Sequence, residues 1–258
     1  FIEKPFNTER LLLSVQRSIE LFDIKNENRL LKQGNIFDYE FIGESQAITK
    51  IKNQIKKIGP TSSRVMIYGE SGTGKEIIAK EIHKNSPNKN GPFIAINAAL
   101  LEPDKLENLL FGSQDLEFND IGYLEKAANG TLFIDEVGEM PLQTQAKILR
   151  VLTDKNFTKI GSNKTTELNC RIICSSIKNL EQLTIEGSFR KDLFHRLNVV
   201  TIKLPTLNER SEDIDSLIDH FSNLFSKENN LKYIDLKPVI KAKYINHDWP
   251  GNIRELRN

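Results

Sequence analysis

Cysteine is nearly absent from this sequence, with two among 258 residues, and neither charge is in excess, with 36 Lys and Arg against 35 Asp and Glu. Cys170 and Cys174 share one apolar stretch without the paired spacing of a zinc site or a redox motif, so they read as buried thiols of a reducing cytosol. The balanced charge creates no overall field toward nucleic acid or an anionic membrane, so any DNA contact is local or lies outside this segment. No apolar run approaches the roughly 18 residues of a membrane span, and no secretory signal opens the chain, which leads us to expect a cytoplasmic protein. What remains is an ordinary globular composition, 38% hydrophobic and 28% charged, long enough for one large domain or one domain plus fragments. Phe1 falls in mid-pattern, so an excised piece is expected.

A further absence is local. The stretch GESGTGKE, from Gly69 to Glu76, has the glycine spacing of a phosphate-cradling loop but lacks the Ser or Thr hydroxyl that normally follows the lysine and binds magnesium. Glu76 stands there instead. The flanks are nevertheless those of a phosphate loop: Val65 to Tyr68 form an apolar run suited to a buried strand, and Ile77, Ile78 and Ile82 lie on one face of a following helix. In that order Gly69, Glu70, Ser71, Gly72, Thr73 and Gly74 bring backbone N–H groups onto phosphates, Lys75 neutralises the terminal ones, and the helix N-terminus adds its dipole. The second element is GTLFIDEVGEMP, an apolar strand from Leu132 to Ile134 ending in Asp135 and Glu136. Two acids at the carboxyl end of a buried strand are costly unless they serve chemistry. Asp135 suits magnesium, held through its waters, and Glu136 suits the orientation or deprotonation of an attacking water.

The remainder of the chain is organised around these motifs. After FIEKPF, which reads as a strand end and a turn, Asn7 or Thr8 caps a helix with Leu12, Val15, Ile19 and Phe22 on a narrow heptad-like seam. That helix packs on its own domain or pairs two subunits. From NIFDYEFIGES a new unit begins, with a helix through Ile48, Ile51, Ile55 and Ile58 and a Gly59-Pro60 stop. Beyond Pro205 the pattern turns helical, with Ile214, Leu217, Ile218, Phe221 and Leu224 on one face, a polar loop expected over 225–236, and a final helix.

Taken together, GESGTGKE, NGTLFIDEVGEMPLQTQAKILRVL, GSFRKDLFHRLNVVTIKLP and WPGNIREL resemble, in order and spacing, the central AAA+ ATPase domain of bacterial sigma-54-dependent response regulators, over roughly 35–258. Glutamate after the loop lysine is usual in that family. The resemblance implies ATP and Mg2+ as cofactors, with magnesium depending on Asp135, phosphate oxygens and water. It matches Asn97 to the asparagine that pairs with and switches the strand-end glutamate, here Glu136. Arg190 and Arg196 match arginines that reach a neighbouring subunit's nucleotide, although either could instead make a local ion pair. Arg254 matches the lid arginine that contacts nucleotide. FIEKPF resembles the last strand of a receiver domain, where Lys4 matches the lysine contacting the phosphorylated aspartate, so a histidine kinase is the expected partner and the seam helix an expected dimer contact, with a higher ring as a further form. DNA contact is expected from a helix-turn-helix domain beyond Asn258.

Two departures qualify the resemblance. Sigma-54 activators carry a Gly-Ala-Phe-Thr-Gly-Ala loop after Leu-Phe-Gly, whereas LFGSQDLEFNDIGYLEKA is shorter between Gly112 and Gly122 and lacks it. This leaves the RNA polymerase contact open and points to the NtrX branch. In CRIICSSIKNL, Ser175, Ser176 and Ile177 stand where the family has Ala-Thr-Asn, so the amide that senses the γ-phosphate is missing and Ser176 offers one hydroxyl. We expect an α/β fold: an AAA+ phosphate-loop core with a parallel sheet between helices plus a C-terminal helical lid. The boundaries are a receiver end and linker over 1–34, the nucleotide-binding part over 35–204 and the lid over 205–258.

Overall fold

A computed structural model of the chain describes residues 40–114, 119–232 and 236–258. The chain divides into two compact units, Phe1–Glu40 and Phe41–Asn258. Lys4, the FIEKPF strand end and the Leu12 to Phe22 seam lie outside the described residues.

The second unit opens with helix α1 (Gln46–Ile58), strand β1 (Val65–Tyr68), helix α2 (Lys75–Lys84) and strand β2 (Phe93–Asn97). Helix α3 (Pro103–Phe111) runs into a small hairpin of β3 (Gly112–Gln114) and β4 (Asn119–Ile121), followed by the short α4 (Tyr123–Lys126) and β5 (Thr131–Asp135). Helix α5 (Leu142–Asp154), a second hairpin of β6 (Asn156–Thr158) and β7 (Thr165–Glu167), β8 (Arg171–Ser176), helices α6 (Leu180–Ile185) and α7 (Lys191–Leu197) and strand β9 (Val200–Lys203) complete the α/β part. The lid holds α8 (Ile214–Glu228), α9 (Pro238–Ile245) and α10 (Asn252–Arg257).

The five longer strands form one sheet in the order β2-β5-β8-β1-β9, every pair parallel. Burial on both faces explains why these strands read as continuous apolar runs. Successive side chains alternate between two cores: Val65 and Ile67, Phe133 and Ile173 pack with α1 and α2, while Met66, Leu132, Ile134 and Ile172 pack with α3, α5 and α7. Each such fully buried side chain stabilises the fold by about 1.5–3 kcal/mol. Helix α1 begins at Ser45, whose hydroxyl accepts from the Ile48 amide, and buries Ile48, Ile51 and Ile55 as its spacing requires. The Arg171 guanidinium then bonds the carbonyls of Ile58, Gly59 and Ser63 at the far end of α1. A cation suits the negative end of a helix, and burial pulls this one down to about 10. It also anchors the start of β8, the strand that lies between β1 and β5.

The lid differs from its sequence expectation in two ways. Helix α8 continues to Glu228, through the polar residues expected to open a loop, and buries Ser226 beyond the apolar face of Ile214, Leu217 and Ile218. A further helix, α9, precedes the final one, α10, and the two are separated around Trp249-Pro250-Gly251, where the tryptophan and proline read as packing and a turn. Trp249 packs with Leu207, Ile214, Leu217 and Ile218 in a separate lid core. The buried Asp213 fastens this core to the α/β part: its carboxylate accepts from Glu44 N (2.6 Å), Ser45 N (2.8 Å) and Ser45 Oγ (2.6 Å).

Candidate nucleotide site

The loop Gly69–Gly74 joins β1 to α2, and each of its carbonyls accepts a hydrogen bond. Lys75 Nζ reaches Gly69 O (3.0 Å) and Glu70 O (3.3 Å), and Thr73 Oγ1 also bonds Glu70 O at 2.8 Å. Asn252 Nδ2 takes Ser71 O at 3.0 Å, Ile253 N takes Gly72 O at 3.0 Å, Arg210 Nη2 takes Thr73 O at 2.9 Å, and Ile78 N takes Gly74 O at 3.2 Å. A planar trans peptide directs its N–H opposite to its C=O. The carbonyls of Ser71, Gly72 and Thr73, held by Asn252, Ile253 and Arg210, therefore turn the amides that follow them toward the opposite side, an arrangement suited to phosphate at a helix N-terminus.

Three of those six carbonyls depend on the lid or on the turn leading into it. Gly72 (φ +77°) has no room for a side chain: a Cβ there would lie 2.2 Å from Gly251 O. Arg254, matched by resemblance to the lid arginine, donates to Ser71 Oγ at 2.9 Å and is exposed. Asn252, fully buried in left-handed backbone (φ 54°), holds Ser71 O with its amide nitrogen and receives Leu207 N on its oxygen at 2.7 Å. Arg210 is 2% exposed and its Nε has no hydrogen-bond partner; burial lowers its pKa, with Asp213 acting in the opposite direction. The motif reading did not single out Arg210 or Asn252. The Gly251-Asn252 pair signals a turn, but nothing in the local pattern says that it closes on residues 69–74.

At the end of β5 the two acids take different roles. Asp135 receives Asn97 Nδ2 on Oδ2 at 3.0 Å and the Ser175 hydroxyl on Oδ1. Burial raises its pKa, the bond from Ser175 and the charge of Lys75 act against that rise, and Glu136 and Glu76 add to it. Glu136 adopts left-handed backbone (φ 54°, ψ 48°), uncommon for a non-glycine residue and frequent at functional sites. Its carboxylate makes an ion pair with Lys75 at 3.0 Å, with the side chains 14% and 8% exposed, and accepts from Ile177 N at 3.0 Å. Asn97 thus contacts Asp135 rather than Glu136, the partner expected from the resemblance. The register explains this, since Asn97 and Asp135 face each other across β2 and β5.

Other expected residues also fall differently. Ser176, expected to offer its hydroxyl to nucleotide, is fully buried and bonds Lys178 O at 2.8 Å, closing its own turn. It is Ser175 that reaches the acids. Glu76 is exposed at the start of α2 and pairs with Lys80 one turn on at 2.8 Å. Arg190 caps α7 and makes a two-pronged pair with Asp192, at 3.1 and 2.8 Å, which is the local alternative for this residue. Arg196 is exposed in the last turn of the same helix. Beside them lies an open depression of about 540 Å³ lined by Arg190, Lys191, Asp192 and His195. The thiols carry no disulfide, and burial pushes Cys170 and Cys174 up to about 12.

In Gly112–Gly122, the stretch read as too short for the sigma-contacting loop, two strands pair antiparallel with Gly112 opposite Ile121, Ser113 opposite Asp120 and Gln114 opposite Asn119. The base of this hairpin is pinched: a Cβ on Gly112 would meet Asp120 O at 2.4 Å, and one on Gly122 the Phe111 carbonyl carbon at 2.4 Å. Gln114 N and Ile160 N tie it to the second hairpin through Ile160 O and Gly112 O, each at 2.9 Å.

Comparison with known proteins accords with this geometry. A family model described as Sigma-54 interaction domain matches residues 41–203, and one described as AAA+ ATPase lid domain matches 208–258. The nitrogen assimilation regulatory protein NtrX of Azorhizobium caulinodans is 43% identical over 260 residues, covering 100% of this chain and 57% of that protein. The DNA-binding transcriptional regulator NtrC of Escherichia coli is 40% identical over 263 residues, covering 100% and 56%. The crystal structure of NtrX from Brucella abortus in complex with ADP superposes with a TM-score of 0.82 at 43% identity, covering 100% of this chain and 59% of that one; the complex of the same protein with ATP gives 0.81 at 43% identity and the same coverage. The chain therefore spans rather more than half the length of these relatives. Among the described residues no helix is long and apolar enough to cross a membrane.

Proposed function

Because the chain belongs to the family of sigma-54-interacting AAA+ regulators that includes NtrX and NtrC, we propose that it is the ATP-binding central region of a two-component response regulator of the NtrX kind, a nucleotide-gated scaffold rather than a conventional sigma-54 activator. The observation that supports this reading is the antiparallel pairing of Gly112–Gln114 with Asn119–Ile121 beside a phosphate loop of the expected order: the sequence leaves only four residues between the paired strands, against the longer sigma-contacting loop of an activator.

In this reading the amides of Gly69–Lys75 and the ammonium of Lys75 bind the phosphates, and Arg254 meets them from the lid. Asp135 suits a magnesium ion bound through water: its two oxygens are steadied by the neutral donors Asn97 and Ser175 and keep lone pairs for aqua ligands. That ion would supply charge neutralisation between phosphate oxygens. Glu136, at the strand end and on a side chain that Lys75 and the Ile177 amide both hold, is the group to orient or deprotonate a water. Receiver phosphorylation, a kinase partner, dimerisation through the linker and DNA contact belong to the whole regulator and are part of the same proposal.

A second reading, an oligomeric ATPase that remodels sigma-54 RNA polymerase, is favoured by one observation. Arg190, at the N-cap of α7, and Arg196, in its last turn, are both exposed, and Arg196 in particular could meet a neighbouring subunit's phosphates while Arg190 is paired with Asp192. Steady-state ATP hydrolysis measured against protein concentration separates the two, with Lys75→Ala and Glu136→Gln as controls. ATP binding without turnover above the controls supports the scaffold. Specific activity that climbs with concentration and disappears in both variants supports arginines acting in trans, and the ATPase reading replaces it.

A further inference from the structure

The backbone ladder between β5 and β8 stops at Ile134 opposite Cys174, one rung short of the two acids. Beyond it the side chain of Ser175 takes over. Its hydroxyl accepts from Glu136 N at 3.2 Å and donates to Asp135 Oδ1, reaching 40 residues along the chain. One proton and two lone pairs allow a hydroxyl to do both at once. A buried serine commonly returns its hydrogen bond to nearby backbone, as Ser176 does with Lys178 O. Ser175 departs from that habit while being fully buried and aligned with Ile67 in β1, so its own place is fixed by strand pairing rather than by the acids.

We propose that Ser175 is a positioning residue for the magnesium end of the nucleotide site: its hydroxyl sets the rotamer of the Asp135 carboxylate and the left-handed turn at Glu136. Asn97 steadies the opposite carboxylate oxygen, so the plane of the Asp135 carboxylate is fixed from β2 on one side and from β8 on the other. Without the hydroxyl the Glu136 amide loses its acceptor, and Asp135 keeps one restraint of two. Lys75 and the loop amides are untouched, so phosphate binding that needs no metal is preserved. The inference rests on the nucleotide-binding reading above.

The test is titration of a fluorescent ATP analogue with magnesium and, separately, with EDTA, in the full chain and in Ser175→Ala, each with its melting temperature. We expect magnesium to tighten binding in the parent chain, and this gain to fall about tenfold in Ser175→Ala, the scale of one hydrogen bond to a charged group, with affinity in EDTA unchanged. Equal losses in both conditions, or an unchanged gain, overturn the assignment. If the alanine variant does not fold, Ser175→Thr, which keeps the hydroxyl, and Ser175→Cys, which keeps only a weak donor, make the same comparison. A gain retained in threonine and reduced in cysteine supports the proposal, and equal gains overturn it. Absence of nucleotide binding in the parent chain under both conditions overturns the nucleotide reading itself, a result distinct from failure of the Ser175 inference alone.

Discussion

Replacing Glu136 with glutamine is expected to abolish any hydrolysis and, at the same time, to tighten nucleotide binding. The Glu136 carboxylate lies 3.0 Å from Lys75 Nζ, with both side chains largely buried, and so competes with phosphate for the same ammonium. At that separation the gross attraction with an effective dielectric of 20 is about 5–6 kcal/mol. Desolvation and lost side-chain freedom leave a net of about 1.5–3 kcal/mol for a hydrogen bond to a charged group. Glutamine keeps the shape, and its amide oxygen can still accept from Lys75 or Ile177 N, so about 1–2 kcal/mol of the competition is released. That corresponds to an affinity gain of about 5- to 30-fold. Binding of a fluorescent ATP analogue, with ATP as competitor, measures it without interference from turnover. A folded Glu136→Gln variant that binds no tighter than the parent chain would refute the argument, because Lys75 would then have been equally available throughout.

Ile177→Asn restores an amide where the resemblance places one. Its side chain is 49% exposed and its backbone bond to Glu136 is unaffected, so the variant folds normally and any hydrolysis rises by about one to two orders of magnitude, equivalent to about 1–3 kcal/mol; an unchanged steady-state rate shows that this position does not limit turnover. Asp135→Asn tests the burial of the strand-end acid. Since burial raises the folded-state pKa of Asp135 above its ordinary 3.8, protonated Asp135 favours the fold at low pH and that contribution is lost as pH rises through the folded value. The asparagine variant therefore melts above the parent chain at neutral pH, the gap closes toward pH 3.8, and a gap independent of pH contradicts the burial argument.

The parts of the site that repeat a local pattern were legible in the amino-acid sequence. Val65–Tyr68 and Thr131–Asp135 are strands because apolar runs bounded by glycine or acid have few other uses, and the phosphate loop lies between strand and helix as its glycines require. What was not legible depends on which strand lies beside which. Asn97 finds Asp135 because β2 pairs with β5, and Ser175 rather than Ser176 meets the acids because of the side of β8 on which it emerges. Asn252 and Arg210 serve the loop from far away in the chain, and no spacing rule connects them to it.

The bond from Asn252 to Ser71 joins residues 181 positions apart. During synthesis at about 5–20 residues per second the phosphate loop would wait roughly 10–40 s for the segment that holds its carbonyls outward. Until Asn252, Ile253 and Arg254 emerge, Ser71 and Gly72 lack those partners, and a nascent chain has only part of its phosphate cradle. On the proposed reading, nucleotide binds the finished cradle and so favours, by mass action, the fold that holds it.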